Sequence, residues 1–172
     1  MNSSVSQPEP WLRGTLTEVG AVQRAVLHAL ELAKEDLHRW CAGLSDEQLN
    51  ARPAEIAPVA FHLRHIARSI DRLLSYAEGK QLSAEQLSEL KSEGEEGATC
   101  EGVFAELDEA LALAAERIRR FSSDDLETPR GVGKKQLPTT VGGLLVHVAD
   151  HTQRHVGQAI TTAKLAGAGA KR

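Results

Sequence analysis

Three histidines stand at intervals of four in the stretch HVADHTQRHVGQ, residues 147–158: His147, His151 and His155. A second stretch, VAFHLRHIARSIDRLL, holds His62 and His65 three apart, so five of the seven histidines fall in two short segments at helical spacing. On a helix, side chains at i and i+4 point the same way, one turn apart. Two imidazoles of an H-x-x-x-H pair can therefore share one metal ion. Two ligands rarely hold an ion alone, and an imidazole from the other segment would complete a three-histidine site. The plain alternative is that these are ordinary edge histidines, since isolated H-x-x-x-H pairs are common in helices that bind nothing.

Other chemistries fit less well. A di-iron carboxylate bundle needs two Glu-x-x-His pairs and two further glutamates, and only Glu35–His38 has that form. His28 and His38 read as surface or boundary residues. Cys41 and Cys100 lie far apart and outside any C-x-x-C, which reads as two reduced core thiols in a cytosolic protein. Asp71 and Asp150 adjoin the histidine segments, yet neither stands out as a general base, so no catalytic residue is assigned.

The elements that must position the histidines are helices. Four long segments carry a helical hydrophobic period. The first runs roughly from Leu16 to Cys41, with Val22, Val26, Ala29, Ala33, Leu37 and Trp40 on its stripe. The second runs from about Pro58 to Glu78, with Pro58 suited to a first turn and Gly79 to a stop. The third runs from about Cys100 to Phe121. The fourth begins after Pro138, capped by Thr139 or Thr140, and continues to about Leu165. Ser45–Gln48 and Ser83–Gln86 each have the form of a capping box. No segment alternates convincingly with period two. The expectation is an all-α four-helix bundle with short extra helices in the connections. The connection from Gly79 to Thr99 is long enough to recross the bundle, which would make the second and third long helices parallel and the second and fourth antiparallel.

On a helical wheel of about 100° per residue, His155 lies nearest the centre of its apolar stripe, then His151, then His147. His62 lies nearer its own stripe than His65. Spacing alone selects His151 and His155 and leans towards His62 as the third ligand.

Composition bounds the rest. The chain has 172 residues, 41% hydrophobic, 26% charged and 3% aromatic. This suits a single soluble domain, residues 1–172, with frayed tails at about 1–13 and 166–172. A formal net charge of −4 and scattered basic residues give no electrostatic case for nucleic acid. The start lacks the basic and apolar regions of a signal peptide. Nothing approaches the about 20 apolar residues of a membrane span, so the expected location is the cytoplasm.

The block FHLRHIARSIDRLLSYAEG, followed some eighty residues later by HVADHTQRHVGQ, resembles the DinB-like superfamily, which includes the YfiT-type metal hydrolases. The first block is similar to that family's HIA block early in helix two, the second to its H-x-x-x-H-x-G-Q block in helix four. The resemblance implies an up-down-down-up four-helix bundle, a homodimer, and a divalent metal ion held by three histidines. By position, His65, His151 and His155 match the metal ligands, against the wheel's preference for His62. His62 and His147 then become supporting positions around the ion, and Gln158 a residue that orients a ligand or water. Zinc, nickel, iron or manganese would suit imidazole ligands. Members of known activity are mostly metal-dependent thiol transferases or isomerases using bacillithiol or mycothiol. The resemblance thus implies a thiol S-transferase or hydrolase acting on a small electrophile, with a non-catalytic metal-binding or stress-associated interaction bundle as the alternative. The implied partners are a small thiol and an electrophilic substrate, with no nucleic acid and no membrane.

Overall fold

Local signals set the ends of the helices. In the computed structural model, which describes residues 7–169, the order is α1 (Ala21–Cys41), α2 (Asp46–Asn50), α3 (Val59–Ala77), α4 (Ala84–Ser92), α5 (Cys100–Arg119), β1 (Pro129–Val132), β2 (Leu137–Thr140) and α6 (Val141–Gly169). Ser45 and Ser83 each close a capping box, with Gln48 and Gln86 respectively. Thr99 Oγ1 accepts from the Gly102 N–H at the start of α5, and Thr140 Oγ1 accepts from Gly143 N–H at the start of α6. These caps satisfy donors that a helix N-terminus leaves free. Gly79, at φ +79°, ends α3. Its N–H bonds Tyr76 O, and Lys80 N–H bonds Ser75 O, the paired bonds of a Schellman stop that requires a left-handed residue.

Three expectations are corrected. The first helix starts at Ala21, not near Leu16, because Leu16 takes a positive φ of 57° and leads through a turn to Gly20. The chain does contain strands: β1 and β2 pair antiparallel, Pro129 opposite Thr140 and Val132 opposite Leu137. Four-residue strands are too short to display an alternating pattern, and each carries a proline or glycine that obscures it. Trp40 is not part of the core stripe. It is 44% exposed, with Lys164 Nζ 4.4 Å from its ring centroid. Within the stretch expected as an N-terminal tail, Pro10 is buried in a one-turn 3-10 helix and Arg13 pairs with Glu35 at 2.6 Å. At the other end α6 runs four residues beyond the expected Leu165. Residues 1–6 and 170–172 of the expected tails lie outside the described residues.

The hairpin joins two helix ends. Thr128 O and Leu126 O accept from Val141 and Gly142 N–H in the first turn of α6, while Arg130 Nε donates to Ala77 O at the last turn of α3. Both contacts satisfy groups that helix termini leave unpaired.

The core lies among α1, α3, α5 and α6. Leu63, Ile66, Ile70 and Leu74 form the stripe of α3, and Leu145, Val148, Val156 and Ala159 that of α6; all are 2% exposed or less. Each fully buried Leu or Ile contributes about 1.5–3 kcal/mol. That apolar contact, more than helix propensity, holds long helices of this kind in place. Polar contacts fix their register. Arg68 reaches Glu106 and Arg117 reaches Glu78 between α3 and α5. Gln23 donates to Phe121 O, and His38 meets Asp108, between α1 and α5. Gln153 donates to Ala29 O between α1 and α6.

Candidate metal centre

The histidines meet where α3 crosses α6. On α3, His62 is buried beside Leu63 and His65 is half-buried beside Ile66. On α6, His151 and His155 flank the buried Thr152 and Val156. The core stripes pin each helix face, and the imidazoles ride on the edge of that contact.

One ring nitrogen from each of His65, His151 and His155 lies within 4.8 Å of the other two, a grouping that can hold a metal ion. His65 Nε2 and His151 Nε2 are 3.4 Å apart. Two nitrogens bound tetrahedrally to one ion at about 2.0–2.1 Å stand about 3.4 Å from each other. The rings are also close, with centroids 4.4 Å apart for His65 and His155 and 4.6 Å for His151 and His155.

The outward nitrogens have partners of their own. His65 Nδ1 is 2.7 Å from Glu93 Oε2. His155 Nδ1 is 3.1 Å from His62 Nδ1. His151 Nδ1 is 3.5 Å from Ser69 Oγ, itself bonded to Ile66 O. The Nδ1 atom of each ring thus has a neighbour of its own, and the Nε2 atoms of His65 and His151 face each other. This is the pattern in which an outer partner sets the tautomer of a metal-binding histidine.

Electrostatics favour the neutral rings. Burial, reinforced by the neighbouring imidazoles, lowers His62, His151 and His155 to about 4. At neutral pH each of these three is a neutral ring with one N–H and one lone-pair nitrogen, the form that metal ligation requires. The donor set fits a divalent transition ion: three imidazole nitrogens, one from each of His65, His151 and His155, within 4.8 Å of one another.

The other candidates stand apart. His62 is 5% exposed, more buried than His65 as the wheel implies, but it sits behind His155. His147 is exposed and pairs with Asp150 at 3.0 Å, with its ring centroid 5.3 Å from that of His151. Gln158 lies on the exposed face of α6, lining a cavity of about 410 Å³ that also touches His62 and Arg154. Asp71 pairs with Arg117 and Asp150 with His147, so neither aspartate faces the cluster. His28, expected at the surface or boundary, is 7% exposed and bonds Thr15 Oγ1 at 3.1 Å. The preceding turn folds over it, which a wheel of α1 alone does not register. Both cysteines are free. Cys41 is fully buried, and burial pushes its thiol up to about 11.

Two residues near the cluster, Glu93 and Arg72, are not singled out by the histidine motifs. Glu93 is 4% exposed and lies just past α4, in what reads as a connection. Its carboxylate also accepts from Arg72 Nη1 at 2.7 Å. Burial works to raise the Glu93 carboxyl, but the hydrogen bonds from His65 and Arg72 outweigh it and hold the group below the usual range. Arg72 itself is only 8% exposed. A cavity of about 250 Å³ opens on the cluster, lined by His65, His151, Arg72, Tyr76, Leu82 and Leu90 among others. A cavity of about 280 Å³ between α3 and α5 is distant in character: its arginines, Arg68 and Arg117, are already paired with carboxylates.

A comparison with curated protein sequences gives no match. Among solved structures, the chain is similar to one titled "Crystal structure of the conserved protein of locus from Enterococcus faecalis", with a TM-score of 0.66 and 20% identity over 84% of this chain and 96% of that one. At that identity the likeness concerns the fold. The family model described as "DinB superfamily" matches residues 29–159, a span that includes all five clustered histidines and most of the helical core. The chain belongs to the DinB superfamily.

Proposed function

We propose that this protein binds one divalent metal ion through His65, His151 and His155 and uses it to activate a small thiol, or water, against a small electrophile. The observation that carries the reading is the 3.4 Å spacing of His65 Nε2 and His151 Nε2, with the outward nitrogen of each of the three rings already partnered. A bound divalent ion would supply Lewis acidity that lowers the pKa of a thiol or water beside it.

The chain's own residues support the rest of the reading. His65 and His151 line the cavity of about 250 Å³, slightly below the about 300–1,000 Å³ of ordinary ligand pockets. That size suits a small molecule. Leu82, Leu90 and Tyr76 give it apolar walls. Neither Cys41 nor Cys100 is placed to supply the nucleophile. Cys41 is sealed in the core with a raised thiol, and Cys100 turns its sulfur to Ala42 O at 3.7 Å. The thiol therefore comes from solution.

The same reading takes the long helices as an up-down-down-up bundle. It is supported by the sequence of contacts along α3 and α5 (Arg68 to Glu106, then Glu78 to Arg117) and by the reversed sequence along α3 and α6 (His62 to His155, then His65 to His151). It also takes the protein as cytoplasmic, consistent with two free cysteines, and as a homodimer. Among the described residues no helix is long and apolar enough to cross a membrane.

The test is conjugation of a panel of low-molecular-weight thiols to a generic electrophile. Wild type is compared with His151→Ala and with the double variant Cys41→Ala/Cys100→Ala. The reading expects metal-dependent turnover that the histidine change abolishes and the cysteine changes leave intact. The non-catalytic alternative, favoured by the lack of a carboxylate among the described residues that line the cavity, expects metal binding with equal background rates in all three proteins.

A further inference from the structure

Arg64, Arg68 and Arg72 recur every fourth residue along α3, and all three hold the same short segment. Arg64 Nη1 donates to Glu95 O at 2.8 Å. Arg68 Nη1 donates to Glu89 O and Ser92 Oγ, each at 2.9 Å. Arg72 Nη1 donates to Glu93 Oε1 at 2.7 Å. Side chains four apart share one face of a helix, so this row forms a ladder that lashes the end of α4 and the following residues to α3. The residue delivered by that ladder is Glu93, whose second oxygen meets His65 Nδ1 at 2.7 Å.

From this geometry we infer that Glu93 is a positioning residue for the histidine cluster: held by the arginine ladder, it keeps the His65 proton on Nδ1, so that Nε2 presents its lone pair to a metal ion. A carboxylate flanked by a guanidinium offers only acceptor atoms, so the hydrogen in this bond belongs to the imidazole. The buried Arg72 balances the charge of Glu93, which would otherwise be costly at 4% exposure. The two oxygens divide the work, one to Arg72 and one to His65. Nothing else in the described residues bonds His65 Nδ1, so removing the carboxylate frees the ring to rotate or to exchange tautomer. The inference rests on the metal reading above for its purpose, but the ring's hydrogen position can be tested without any metal.

The experiment uses the full chain at pH 8, in wild type, Glu93→Ala and Glu93→Gln. Long-range ¹⁵N–¹H NMR reads the His65 tautomer in metal-free protein, and competition with a chromophoric chelator reads zinc affinity. Circular dichroism checks the fold. In wild type His65 is expected in the Nδ1–H form. In Glu93→Ala it shifts mainly to Nε2–H, and zinc affinity falls about 10–100-fold, as for other lost partners of metal-binding histidines. In Glu93→Gln the amide oxygen still accepts from the ring, so both readouts fall between the other two proteins. The Gln variant decides the matter if the Ala variant fails to fold. An unchanged tautomer in a folded variant overturns the inference, and so does a changed tautomer with wild-type zinc affinity. If wild type takes up no zinc, the metal reading falls, and the orienting role of Glu93 is decided by the tautomer alone.

Discussion

His65 Nε2 and His151 Nε2 face each other at 3.4 Å, from helices whose histidines are 86 residues apart in sequence. On the proposed reading, that spacing separates ligands from supports. Replacing His65, His151 or His155 by alanine removes one of three donors and is expected to weaken zinc binding by more than about 100-fold. Replacing His62, which touches only the far nitrogen of His155, falls within the about 10–100-fold expected for an outer partner. Zinc competition titrations on the four single variants check the ranking.

The pH dependence of the metal-free fold follows from the depressed histidines. His62, His151 and His155 titrate at about 4 in the folded protein and near about 6.5 in the unfolded chain. Between those values the unfolded state binds more protons, so stability falls as pH drops from about 6.5 towards 4. The loss is on the order of a few kcal/mol in total, after discounting for the solvent that reaches His151 and His155. Urea melts of chelator-treated protein at pH 7.5, 6 and 5 should show a declining midpoint. A flat profile from 7.5 to 5 would contradict the burial of these rings.

How much of this was legible in the sequence depended on the length over which a signal repeats. The four long helices each display several turns of apolar periodicity, so Leu63, Ile66, Ile70 and Leu74 announce their shared face. The capping boxes at Ser45 and Ser83 are complete in four residues and appear as read. The hairpin is not legible, because Pro129–Val132 and Leu137–Thr140 are shorter than any alternating pattern needs. The wheel ranks burial and does so correctly for His62 over His65, but burial is not convergence: His62 packs behind His155, while His65 stands in front of both α6 histidines. Glu93 was invisible for a different reason. It belongs to no periodic segment, and only the fold brings it 2.7 Å from His65. The spacing of Arg64, Arg68 and Arg72 was available as a clue, but arginines four apart on a helix usually face water.

Metal removal should leave a folded protein. The core of α1, α3, α5 and α6 is continuous without the histidines, so a chelator is expected to lower the melting temperature without unfolding the chain at room temperature. Zinc at 100 times its dissociation constant should add about 2.7 kcal/mol. Differential scanning calorimetry with zinc and with chelator measures the difference. Collapse of the fold on chelation would mark the ion as structural.

The two thiols should respond differently to a thiol-reactive probe. Cys100 is partly accessible, whereas Cys41 is 0% exposed with its thiol raised to about 11. One equivalent of thiol is expected to react in native protein and two in denaturant. Rapid labelling of both in the native state would contradict the sealed position of Cys41.

The most direct test of the central claim is metal stoichiometry. Protein purified without a histidine tag, loaded with zinc and dialysed at pH 7.5, is analysed by mass spectrometry of its metal content beside the His151→Ala/His155→Ala variant. One zinc per wild-type chain is expected and none retained by the double variant, with both proteins folded. Equal zinc in the two proteins, or none in wild type, would contradict a metal centre built from His65, His151 and His155.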